Sequence, residues 1–301
     1  MDVAIALGGG GARGNAHIGV LRRLLAEGFK IRAVAGTSAG GIAAAAFAAG
    51  YTPDEMEAIF ASVDQTKLFA RLSAEGPGLL GLSGARKILE EFLGERTFAD
   101  LKIPCAMVAV DLEGAKEIVI QEGRVVDAVL ATIAIPGVFP PKESGGYRLV
   151  DGGVLNPVPV SVARSLAPGL PVLAVVLSPS MEQPRHLSHI PLPIKVPAPI
   201  IERFTQLRFA QAFNIFMDSV DVGQRMITEL RLQVDEPDVV IRPDVGDIGL
   251  LDRVDVHKIV RLGEKAVDRV LPQIQRTVSW KNNMRRRMFP RKRRKAGQRE
   301  A

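Results

Sequence analysis

Ser38 stands in the run Gly36-Thr37-Ser38-Ala39-Gly40, with Gly41 next. A serine with a glycine two positions to either side has the spacing of a nucleophile turn. The glycines remove the Cβ atoms that would clash at a tight apex. The apolar run 31–35 before it reads as a short buried strand. Residues 42–49, closed by Gly50, read as a helix. A helix starting just after Ser38 would point amide N–H groups and a partial positive charge at a developing oxyanion. The plainer reading of the same residues is a helix start capped by a serine.

A second candidate is the loop Gly8-Gly9-Gly10-Gly11-Ala12-Arg13-Gly14. It joins an apolar run at 3–7 to a helix-spaced segment (Ile18, Leu21, Leu24, Leu25) that stops at Gly28. Gly9-x-Gly11-x-x-Gly14 fits a dinucleotide fingerprint. Against that, the next strand ends in Gly36-Thr37-Ser38 with no acid placed to hold a ribose, and Arg13 puts a bulky charge in the loop. A P-loop is excluded, because no Lys-Ser/Thr pair follows the glycines. The other use of such a loop is anion binding by bare amides. The two strands are sequential, and parallel strands joined by a crossover helix are usually neighbours. Both turns then emerge at one end of the sheet, with the glycine amides beside Ser38.

A third candidate is Asp151, at the end of the strand-like run 147–150 and before Gly152-Gly153. Aspartate there serves as a turn residue or cap, or as a base aimed at the serine.

Gly9 to Gly14, Gly36 to Gly40 and Asp151-Gly152-Gly153, in that order, resemble the three signatures of the patatin-like phospholipase family. Ala134-Ile135-Pro136-Gly137-Val138-Phe139-Pro140-Pro141 is similar to the bacterial members and to the neuropathy-target-esterase catalytic domain. The resemblance covers roughly residues 3–270 and implies a three-layer α/β/α fold with a central, mostly parallel sheet. It implies a Ser–Asp dyad without cofactor or metal: Ser38 as nucleophile, Asp151 as general base, and an oxyanion hole from the amides of Gly10, Gly11 and Ala39. The activity implied is hydrolysis of lipid carboxylic esters through an acyl-enzyme. Arg13 would hold an anionic group of the substrate or order the loop. Thr132 departs from the serine of many relatives, and Gly152-Gly153 from Gly-Ala. Two other readings are a patatin-fold regulatory or adaptor protein with little turnover and a dinucleotide-binding protein.

The histidines fit a dyad. His17 falls in the helix after the glycine loop and reads as structural. His186 and His189 fall in a Pro-rich segment, and His257 in the last helix. None sits at a strand end after the serine, as the order Ser, Asp, His would require.

The elements that must carry these groups follow from periodicity and breakers. Helices are expected at 54–63, 84–93, 125–135, 157–166, 200–232 and 256–271. Strands are expected at 171–177 and 239–242, and a hairpin at 105–112 and 116–121. Residues 178–199 carry six prolines with apolar residues between them, a long extended loop.

The chain has 301 residues, is 47% hydrophobic and contains one cysteine, Cys105. That allows a large α/β core and no internal disulfide, consistent with a reducing compartment. No basic n-region precedes the first apolar run, and no stretch reaches the ~18 apolar residues of a membrane span. A cytoplasmic protein is expected, peripheral on the inner face of the membrane. The net charge of +6 is unevenly placed. Residues 281–301 hold ten of the 39 Lys and Arg and one of the 33 acids, leaving 29 basic and 32 acidic groups elsewhere. Residues 1–280 are therefore expected to form the catalytic domain and 281–301 a basic, disordered tail. The tail suits an anionic membrane surface; no nucleic-acid fold accompanies it.

Overall fold

Leu7 and Gly36 stand side by side at the ends of two parallel strands, β1 (Asp2–Leu7) and β2 (Lys30–Thr37). The neighbouring placement expected from sequence therefore holds, and the loops that follow both strands leave at one end of the sheet. The structure is a computed structural model that describes residues 1–65, 67–69, 76–181 and 200–278, without the side chains of 200–210 and 214.

The remaining elements are α1 (Ala16–Ala26), α2 (Ala39–Ala48), α3 (Pro53–Ser62), α4 (Ser83–Leu93), β3 (Cys105–Asp111), β4 (Lys116–Ile120), α5 (Val125–Thr132), β5 (Lys142–Ser144), β6 (Tyr147–Asp151), α6 (Val160–Leu166), β7 (Val172–Val175), α7 (Ile200–Asp235), β8 (Val239–Ile241) and α8 (Val256–Thr277). The sheet runs β5-β6-β3-β2-β1-β7-β8, with β4 also on β3. Strands β3, β2, β1, β7 and β8 are parallel; β4, β5 and β6 add antiparallel pairings. Helices flank both faces of this mixed, mostly parallel sheet, the three-layer α/β/α arrangement expected from the sequence.

The pleat explains the two helical layers. Val3, Ile5 and Leu7 project into a core shared with α1, α2, α5 and α8. Ala4 and Ala6, with Ala33, Ala35 and Ala106, face the other way, onto Val160, Val162 and Ala163 of α6. Alternate strand residues point to opposite faces, so one face is bulky and the other is nearly smooth, which lets α6 lie close. The parallel strands are buried on both faces and therefore read as unbroken apolar runs.

Register delivers Asp151 to the serine. Thr37 pairs with Val108 of β3, and the next β3 residue, Ala109, pairs with Asp151 of the antiparallel β6. Strand β6 thus ends beside the end of β2.

Several boundaries differ from the sequence expectation. Helix α2 begins at Ala39 rather than 42, so its first turn follows Ser38 directly. Helix α5 stops at Thr132, three residues early. Proline 136 cannot donate an amide and disfavours helical backbone at Ile135, and Ala134 instead gives its carbonyl to the Asp151 amide at 2.9 Å. Helix α6 starts at Val160, beyond Pro157 and Pro159. Helix α8 runs through Pro272 to Thr277, carrying Ile274 into the core. The β5–β6 hairpin was not expected. Its signal was present: Gly145 and Gly146 both have positive φ, as a two-residue type I′ turn demands. The expectations for 182–199, for His186 and His189, and for 281–301 lie outside the described residues.

Candidate active site

Ser38 occupies the step between β2 and α2 with φ 54° and ψ −125°. A non-glycine residue at positive φ costs on the order of 1–3 kcal/mol and persists where its surroundings over-determine it. The surroundings here are tight. A Cβ on Gly36 would lie 2.3 Å from the Gly40 carbonyl oxygen, and one on Gly40 would lie 2.1 Å from the Leu7 oxygen. The Ser38 amide donates to Thr132 Oγ1 at 2.9 Å, and the Thr132 hydroxyl donates to the Val108 carbonyl. On the other side Thr37 donates its hydroxyl to the Asn156 carbonyl at 2.9 Å.

Asp151 closes β6 and is 3% exposed. Its Oδ1 accepts the Gly153 amide at 2.7 Å, and its side chain lines the same small cavity as Ser38. Burial pushes the carboxyl up from 3.8 to about 6, against the lowering by the nearby Ser38 hydroxyl and the Gly153 amide. The two residues singled out in the sequence, 113 positions apart by their numbers, therefore line one cavity.

The glycine loop wraps over this pair. The Gly8 amide donates to Val175, Gly9 to Pro157 and Ala12 to Leu250. Among the described residues, no acceptor takes the amides of Gly10, Gly11 or Ala39. Three main-chain donors near the serine are thus uncommitted. Gly9 approaches so closely that a Cβ there would sit 3.2 Å from Ser38 Cβ, and Gly152 packs on the Val108 carbonyl.

Arg13 is 6% exposed and its Nε donates to the Ile248 carbonyl. It therefore ties the loop to the segment before α8. Burial lowers its pKa; Asp221 opposes that, and Arg225 adds to it. His17 is fully buried, with Nε2 2.8 Å from the Gly8 carbonyl oxygen. A carbonyl can only accept, so Nε2 carries the proton. Burial brings the imidazole down from 6.5 to about 4, and it is a neutral brace beneath the loop, as its position in the sequence suggested. His257 lies at the surface on Glu57.

Two cavities meet at Ser38. One of about 210 Å³ is walled by Ile42, Phe60, Leu89, Phe92, Phe139 and Leu251, with Gly14 and Ala39 at the serine end. The other, about 50 Å³, gathers more polar groups: Gly9, Gly10, Gly11, Arg13, Asp151 and Gly153 face Asp221, Gln224, Arg225 and Thr228 of α7. Sequence reasoning missed the α7 residues, since nothing local distinguishes them from other polar positions of a long helix. It noted Thr132 only as a departure from relatives. Among the described residues no group of His, Cys, Asp or Glu is arranged to hold a metal, and no helix is long and apolar enough to cross a membrane.

Comparison with known proteins agrees with this architecture. Residues 5–164 match the family model for patatin-like phospholipase. An uncharacterised NTE family protein of Mycobacterium tuberculosis is 40% identical over 162 residues, 53% of this chain and 44% of that protein. A second from the same organism is 29% identical over 281 residues, covering 88% of this chain and 46% of its own length. The chain thus spans less than half the length of these curated relatives. The crystal structure of VipD from Legionella pneumophila aligns with a TM-score of 0.58 at 14% identity, over 90% of this chain and 66% of that one, a likeness of fold. The family model spans more than half the chain and takes in the glycine loop, the serine turn and the aspartate: this chain belongs to the patatin-like phospholipase family.

Proposed function

We propose that this chain is a serine lipid acyl hydrolase that cleaves carboxylic esters of the phospholipase or lysophospholipase type. The observation that carries the reading is that Ser38 and Asp151 line one cavity, at its junction with an apolar cavity and beside uncommitted amides. The acyl chain lies in the apolar cavity. Ser38 Oγ attacks the ester carbonyl carbon while Asp151 takes the hydroxyl proton. The amides of Gly10, Gly11 and Ala39 receive the oxyanion, an effect worth roughly 3–4 kcal/mol per well-placed donor. Collapse breaks the ester C–O bond, and the alcohol leaves with the proton from Asp151. Water then attacks the acyl-Ser38 ester, gives its proton to Asp151, and the fatty acid departs as Ser38 is reprotonated.

A carboxylate is a weak base; burial strengthens it by disfavouring its charge. Arg13, beside the reacting pair, orients the polar end of the substrate as well as the loop. Residues 1–280 form the catalytic unit, and 281–301 add electrostatic attachment to anionic headgroups, about 1 kcal/mol per Lys or Arg near the surface. The test is hydrolysis of phospholipids, lysophospholipids and neutral glycerides by Ser38→Ala and Asp151→Asn. Each variant should be folded and inactive; full turnover by folded Ser38→Ala would falsify the assignment.

A further inference from the structure

Helix α7 is built inside out. From Gln211 to Val234 every exposed side chain among those described is uncharged. Ile215, Phe216, Val222, Met226, Leu230 and Val234 are 42–66% exposed. The charged residues of the same stretch, Asp218, Asp221, Arg225, Glu229 and Arg231, are buried or half-buried. A surface helix ordinarily shows its charges to water and its apolar stripe to the core. Here the apolar stripe faces out for about 28 Å. A patch of that kind marks a contact surface.

Its position says what it contacts. The inward face of α7 supplies Gln224 and Thr228 to the smaller cavity at Ser38. Near the N-terminal end of the stripe, Phe213 and Phe216 lie over Gly137. Gly137 sits two residues from Ile135 and Phe139, which wall the apolar cavity. The outer stripe is thus continuous with the wall of the acyl site. Charge adds to this. The stripe offers nothing that an anionic bilayer would repel, while 281–301 carry a strong excess of Lys and Arg. One surface, a bilayer with anionic headgroups, satisfies both.

We propose that the outer face of α7 lies in the bilayer interface and brings the acyl cavity up to its lipid supply. The choice of a bilayer over a second copy of the chain rests on the hydrolase reading. The binding measurement does not require turnover, so the two can fail separately.

The full chain is tested on vesicles of phosphatidylcholine and phosphatidylglycerol in about 1 M salt, where the Debye length falls to about 3 Å and attraction through the basic residues is screened. The wild type should still sediment with the vesicles. Val222→Asp combined with Met226→Asp, neither of which lines either cavity at Ser38, should weaken that association by about tenfold or more. The double variant should cleave a soluble short-chain ester at the wild-type rate. Undiminished sedimentation of the double variant overturns the proposal. So does a wild-type dimer in solution that the variant breaks while vesicle binding is unchanged.

A second reading does not depend on the double variant folding. Met226→Cys can be labelled with a polarity-sensitive fluorophore, because Cys105 is buried and its thiol is pushed up to about 12. Emission should shift to the blue on adding vesicles. Emission unchanged by vesicles also overturns the proposal.

Discussion

The Thr132 hydroxyl accepts the Ser38 amide at 2.9 Å and donates its own proton to the Val108 carbonyl. One fully buried side chain thus links the strained residue at the apex of the turn to the strand that pairs with β6. Two residues on, the Ala134 carbonyl accepts the Asp151 amide. The end of α5 therefore fixes both Ser38 and Asp151. Thr132→Val keeps the shape and removes the link. It should lower kcat about tenfold while leaving KM near wild type, the loss expected when a buried hydrogen bond of about 1–2 kcal/mol is removed from the nucleophile's frame. Thr132→Ser should restore kcat. Equal losses in both variants would show that the hydroxyl plays no part.

Burial makes the charged form of Asp151 costly. Its folded pKa of about 6 lies above the ordinary 3.8, so the folded chain prefers the protonated acid. That contribution to stability is full below the ordinary value and is lost as pH rises through about 6. Asp151→Asn stays neutral at every pH. Above about pH 6 it should therefore be more stable than wild type, by up to about 3 kcal/mol, with the difference vanishing below about pH 4. Denaturant melts of both proteins across this range check the sign. A variant less stable at pH 8 than at pH 4, relative to wild type, would contradict it.

His17 acts in the opposite direction. Its folded pKa, about 4, is depressed from 6.5. The stability it confers is present above the unfolded value and is lost as pH falls from about 6.5 to about 4, roughly 3 kcal/mol in all. His17→Gln retains a donor for the Gly8 carbonyl without titrating. Its melting temperature should fall less than that of wild type over this interval, and an identical fall would remove His17 from the account.

Removing 281–301 should weaken binding to anionic vesicles at low salt and spare hydrolysis of a soluble ester. Vesicle binding equal to that of the full chain would assign the basic residues another role.

Much of this was legible in the sequence because the relevant signals are local. Glycine spacing around Ser38 announces a tight apex, and the apolar runs before both loops announce buried parallel strands. Asp151 could be proposed from a strand end followed by two glycines, but its proximity to Ser38 depends on the register of β2, β3 and β6, which no local pattern encodes. Helix α5 was extended too far because Val125 to Ile135 is continuously helix-compatible, whereas its last turn is spent on tertiary hydrogen bonds. Gln224 and Thr228 reach the site through the way α7 packs, and Thr132 through a bond to a residue 94 positions away. A position in a helix does not by itself identify the residue it will touch across the fold.

The most direct test of the central claim is covalent. A fluorophosphonate probe, followed by mass spectrometry of the digested protein, reports which hydroxyl is activated. A single adduct on Ser38 is predicted, forming more slowly as pH drops below about 6 and nearly absent in folded Asp151→Asn. No adduct on Ser38, or one that forms as fast in Asp151→Asn as in wild type, would contradict the account.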